Sequence, residues 1–190
     1  MTAPPLRPCF TALACAWVSM EFLSLAILPL LMMDQPPGEA VVFLAGVMLA
    51  STAAWALVGG IILHRAWRAI QPHGGTVTPG LAVGLMAVPG FNLVWQFRAF
   101  VGFAREFNGI SARLSLPVRP IPDRLLRSYA ISNLAALPLM FVPGLAQVAG
   151  VAACVLGLLS VRAVVEGVAM LEAYESEGTG IDGAGLPLAA

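Results

Sequence analysis

Apolar residues in this chain are gathered into long runs broken by short polar stretches. The first run, residues 10–33, has about the length that a bilayer core requires of a helix, roughly 20 residues with room for tilt. Pro29 near its end would bend it. A second run, residues 40–63, carries no charge and is rich in Ala, Gly and Ser, which let helices approach closely where packing replaces the hydrophobic effect. Between them lies the turn 34–39, with two acids and no base.

Two further runs are interrupted. Residues 81–104 are apolar overall but contain Pro89-Gly90, Asn92, Gln96 and Arg98. Residues 128–161 contain Pro143-Gly144. Proline lacks a backbone donor and glycine admits unusual dihedrals, so each pair predicts a break. The segment from Leu85 to Gly90 reads much like that from Leu139 to Gly144, which raises an internal duplication as one explanation. The expected fold class is therefore all-α: a polytopic helical membrane protein with two full transmembrane helices followed by two Pro-Gly-broken hairpins. Whether the hairpins cross fully or re-enter is left open. An exposed loop is expected over residues 105–127, with its prolines 117, 120 and 122, and a disordered acidic, Gly-rich tail over residues 176–190.

Charge sharpens this threading. Of the 190 residues, 59% are hydrophobic and 11% charged, against roughly 25% charged in an average soluble domain. All ten basic residues are arginine, and eight of them lie between Arg65 and Arg127. In that stretch Glu106 and Asp123 are the only acids, whereas five acids gather near the C-terminus. Since the arginines flank apolar runs, they read as orientation signals and not as a nucleic-acid site. The positive-inside rule puts the Arg65 and Arg68 end in the cytoplasm, together with Arg7 at the N-terminus, and leaves the acidic turn outside. Both hairpins are bordered by cytoplasmic signals, so both termini are expected there.

The middle of the chain carries an ordered set of motifs. Trp67, Ile70 and Gln71 form W-x-x-I-Q; Thr78 to Gly84 form T-P-G-x-A-V-G; Pro89 to Phe97 form P-x-F-N-x-x-W-x-F; a short helix then ends at Phe107-Asn108. This pattern, over about a quarter of the chain, resembles one in uncharacterised bacterial multi-pass membrane proteins. It departs from them in the loop 72–77, which is less charged here. The resemblance implies a bacterial inner-membrane protein and supports location more than activity.

Few residues suggest chemistry. Glu21 lies near the middle of the first apolar run, where a carboxylate costs a few kcal/mol on insertion scales. It reads as a proton or ion relay, an anchor for a substrate cation, or a structural partner, with Arg98 as the natural cation. Asn92 and Gln96, four apart, share a helical face. Arg98 can instead snorkel to phosphates. Trp67, Trp95, Phe91, Phe97, Phe100, Phe103 and Phe107 read as an interfacial aromatic belt or, alternatively, the wall of a lipid or hydrophobic-substrate groove.

Cys9, Cys15 and Cys154 form no CxxC, and His64 and His73 have no ligand at metal spacing. Gly74-Gly75 lacks the Lys-Ser/Thr of a phosphate loop. No metal, cofactor or enzymatic activity is expected. The leading expectation is a membrane scaffold or accessory subunit, in contact with the bilayer and a protein partner or further copies of itself. The alternatives are a small oligomeric transporter or channel lined by Glu21, Asn92, Gln96 and Arg98, and recognition of anionic lipid by the arginine-rich face.

Overall fold

The computed structural model describes residues 6–31, 33, 38–139 and 142–182. Among the described residues every regular element is helical. Helix α1 spans Leu6–Leu31 and α2 spans Gly38–Ile70. Among the described residues, two helices, α2 and the last helix, are long and apolar enough to cross a membrane.

The second helix does not stop at residue 63 as expected. It continues through His64, Arg65 and Arg68 to Ile70, because one face of this extension is apolar: Ala66, Trp67 and Ile70 are fully buried. Gln71–His73 then tighten into a 3₁₀ turn, closed by Gly74 at φ 94°. The Gln71 side chain donates to the carbonyls of Gly75 (3.1 Å) and Val77 (2.7 Å), which folds residues 71–77 back on themselves.

Helix α3 (Pro79–Gly84) starts where the sequence encodes a start. Thr78 is extended, its hydroxyl accepts from the Leu81 amide at 3.4 Å, and Pro79 occupies a first-turn position where no amide is needed. A 3₁₀ turn, Leu85–Ala87, continues it to the break at Pro89-Gly90, where Gly90 takes φ 77°. Helix α4 (Asn92–Gln96) leaves the turn, widens into a π segment at Phe97–Gly102 and becomes α5 (Phe103–Arg113). The Pro-Gly break is thus where the sequence puts it, but the arms are unequal. The first is only nine residues long, and the second runs to Arg113 instead of ending at residue 104.

This corrects the exposed loop expected over residues 105–127. Phe107 and Ile110 repeat at helical spacing with Phe103 and bury that face of α5. Only the connection 114–122 is irregular, and Leu116 and Ile121 anchor it in the core.

Helix α6 (Asp123–Leu139) packs on α7 (Pro143–Asp182), over the stretch where the second hairpin is expected. Its break falls before Pro143-Gly144: α6 ends at Leu139, and Pro143 opens α7, a position at which proline's missing donor costs nothing. Met140 and Phe141 lie outside the described residues, as do residues 183–190. Helix α7 runs on to Asp182, into the tail expected from residue 176.

The C-terminal parts of α2 and α7 meet at one end of the bundle. Trp17 of α1 stacks edge-on to Trp55 of α2, and Leu13 reaches the level of Gly59, so α1 and α2 are antiparallel. Arg65 reaches Glu172 at 3.4 Å, and His73 Nε2 lies 2.6 Å from Glu175 Oε1. Helices α2 and α7 therefore run in the same direction, with their C-terminal ends together. Burial is concentrated at that end, around Trp67, Phe103, Phe107, Leu126, Val168 and Leu171. Toward the opposite end α2 is bare: Val42, Phe43 and Leu49 are each about 70% exposed.

Candidate functional site

Two features stand out: a polar cap at the shared helix ends, and an apolar cavity beneath it. The cap centres on Glu106. Its carboxylate accepts from the Thr76 amide (2.8 Å), the Thr76 hydroxyl (2.5 Å) and Arg98 (3.3 Å), with 17% of the side chain exposed. Arg98 donates in turn to Thr76 Oγ1 at 2.7 Å. Arg113 donates to the carbonyl of His73, which also contacts Glu175. The 71–78 loop, α5 and α7 are thereby tied together by charge-assisted hydrogen bonds, the stronger class.

Beneath the cap lies a cavity of about 240 Å³. Its wall includes Trp55, Gly59 and Gly60 of α2, Met86 before the Pro-Gly turn, and Phe100 of the π segment. Asn92 contributes its one side-chain amide, and that amide makes no hydrogen bond to a described residue. On the far side an aromatic chain closes the bundle: Trp55, Trp17, Tyr129 and Phe100 follow one another edge to face at centroid spacings of 5.5, 5.9 and 5.5 Å. Edge-to-face pairs of this kind add specificity beyond the area they bury.

Of the four polar residues singled out from the sequence, the three whose side chains are described do not converge. Asn92 lines the cavity. Gln96 is buried at 5% exposure and spends its amide on the Leu93 carbonyl at 3.1 Å. Arg98 sits in the cap, half exposed, with Glu106 as its ion-pair partner. Glu21 lies in α1, and its side chain is outside the described residues. Among the described residues no group of three His, Cys, Asp or Glu side chains could hold a metal ion.

The aromatic belt also needs correction. Trp67, Phe103 and Phe107 are at most 1% exposed and form core, whereas Phe91 at 45% faces outward. Trp67 donates its indole N–H to the Ala99 carbonyl at 3.1 Å, inside the π segment, and Trp95 donates to the Ala82 carbonyl at 3.1 Å. Asn108 makes a two-way bond with the backbone of Ile121, donating to its carbonyl at 2.8 Å and accepting from its amide at 2.7 Å.

Trp67, Gln71, Thr78, Trp95 and Asn108, polar members of the sequence motifs, therefore each fasten a stretch of backbone, whereas the motif's Asn92 faces the cavity. The motifs specify how residues 66–121 fold upon themselves. Glu106 and the Trp17–Tyr129 pair were missed by sequence reasoning. Glu106 had a visible signal, as one of two acids in the arginine-rich stretch; Trp17 and Tyr129 had none, being 112 residues apart. The chain matches no protein-family model, no curated protein and no solved structure.

Proposed function

We propose that this chain is a non-enzymatic integral membrane protein, a scaffold or accessory subunit that packs against a partner helix along α2. The observation that carries this reading is the bareness of α2. Its most apolar eighteen-residue stretch buries none of its residues inside the chain. An exposed apolar surface of that size is stable only against lipid or another protein. Gly46, Ala50 and Ala54 of α2, with Ala16 of α1, line a shallow groove of about 570 Å³, and small residues let a neighbouring helix come close.

Helix lengths fit this setting. The 33 residues of α2 rise about 50 Å and the 40 of α7 about 60 Å, against a hydrocarbon core of about 30 Å. The excess is where the polar cap and the buried core of Trp67 lie. In this proposal the cap stands in the headgroup region and cytoplasm of a bacterial inner membrane. The arginines at 65, 68, 105 and 113 and the resemblance of the motifs agree with that side.

The transporter alternative finds less support. Of its candidate path residues, Asn92, Gln96 and Arg98 are divided between the cavity, a helix-internal hydrogen bond and the cap.

Size measurement after mild detergent extraction tests the proposal. A particle larger than one 19.8 kDa chain plus detergent is expected, reduced to the single chain by Ala50→Trp. A lone monomer in both forms would overturn it. Cysteine labelling distinguishes orientation: a Cys at Gly74 should react only from the cytoplasmic side.

A further inference from the structure

We infer that the cavity beneath the cap is a binding site for one acyl chain of a membrane phospholipid, with Asn92 donating to the chain's ester carbonyl. The inference rests on membrane residence but not on the partner helix.

The lining is mainly apolar, and apolar cavities accept apolar guests. Its side-chain polar groups are the Asn92 amide, the Tyr129 hydroxyl and the indole N–H groups of Trp17 and Trp55. The space, about 240 Å³, suits part of a hydrocarbon chain and is too small for a whole lipid. Small-molecule sites have this composition, a mainly apolar wall with one or two placed polar groups.

The position of the opening selects the occupant. Ala56 on α2 and Ala87 before the Pro-Gly turn both line the cavity and are exposed. Their neighbours Leu57 (69% exposed) and Val88 (45%) make the rim apolar. A solute from water would have to cross that rim, whereas a chain from the surrounding bilayer enters directly. Gly59 and Gly60 keep the α2 wall low: a methyl at Gly60 would stand 3.4 Å from Val83.

Depth fits the ester. Asn92 lies six residues before Arg98, about 9 Å along the helix, and so beneath the charged cap. A carboxamide there, unpaired within the described residues, meets a carbonyl just under the headgroups and cannot be satisfied by a hydrocarbon tail alone.

The test uses the full chain in nanodiscs containing phosphatidylethanolamine with a diazirine in one acyl chain. Adducts on Met86, Trp55 or Phe100 are expected, lost when Ala56→Trp blocks the opening. Gly60→Leu, which fills the cavity from its wall, gives the same loss independently, so misfolding of one variant does not decide the result. Asn92→Leu should abolish the preference for an ester-linked over an ether-linked lipid while keeping adducts on the same residues. Adducts confined to Val42, Phe43 and Leu49, with equal yield in wild type and both blocked variants, would mean annular lipid only and would overturn the inference. Extraction of the chain from membranes by alkaline carbonate would overturn the membrane reading itself, and is measured first.

Discussion

Trp17 lies across α7 at Gly157, so close that a methyl group at that glycine would overlap the indole ring and come within 2.9 Å of Tyr129 Cε2. Trp17 and Tyr129 are 5% and 3% exposed, so neither ring can swing out to solvent. Gly157→Ala should therefore destabilise by about 1–3 kcal/mol, the usual cost of overpacking a filled core. Thermal unfolding in detergent measures it. The double variant Trp17→Leu, Gly157→Ala should recover part of the loss, since the overlapping atoms are then gone; strict additivity would refute the contact.

Asn108→Ala removes both hydrogen bonds to Ile121 at once and leaves its partly buried amide and carbonyl without partners. A loss of roughly 1–3 kcal/mol is expected. Asn108→Asp should be worse than its size suggests, because a carboxylate replaces the donor facing the Ile121 carbonyl. Limited proteolysis within residues 114–122 should accelerate in both variants.

Glu106 and Arg98 form one ion pair but should not respond alike. Glu106 serves three donors and is mostly buried, whereas Arg98 is half exposed. Removing an exposed member of a pair typically costs under about 1 kcal/mol. Glu106→Ala should therefore lower the melting temperature clearly more than Arg98→Ala, and hydrogen exchange at the Thr76 amide should speed up only in the former.

The asymmetry also shows what the sequence could and could not tell. The placement of apolar runs and the Pro89-Gly90 break are local, and each was legible. The partner of Arg98 was not. A helical wheel at constant pitch does not bring Arg98 to Glu106, eight residues on; the π segment at Phe97–Gly102 changes the angular register between them. Nor was the burial of α5 legible, since arginines at 105 and 113 and the three nearby prolines suggested a loop. Its apolar face, Phe103, Phe107 and Ile110, has meaning only against α2 and α7, which are distant in the chain. Tertiary contact decided what charge and proline content had obscured. Of the candidate site, Asn92 was found from the sequence, but the cavity it lines was not, because that cavity exists only where six separate segments converge.

Trp67→Phe keeps an aromatic ring in the core but deletes the donor to Ala99. A cost of about 1–3 kcal/mol is expected from the carbonyl left without it. Amide exchange should rise within Phe97–Gly102 before it rises in α2. A uniform increase over the whole bundle would argue that the indole bond does not stabilise the wide turn in particular.

The meeting of Arg65 with Glu172, 107 residues apart, has a consequence for biosynthesis. A chain made from its N-terminus exposes the end of α2 long before α7 exists to cover it. Val168 and Leu171, which complete the core around Trp67, likewise emerge long after it. Pairing of α1 with α2 is local and fast, while closure of the cap waits on far more distant contacts and is correspondingly slow. During that interval the surface later covered by α7 is open.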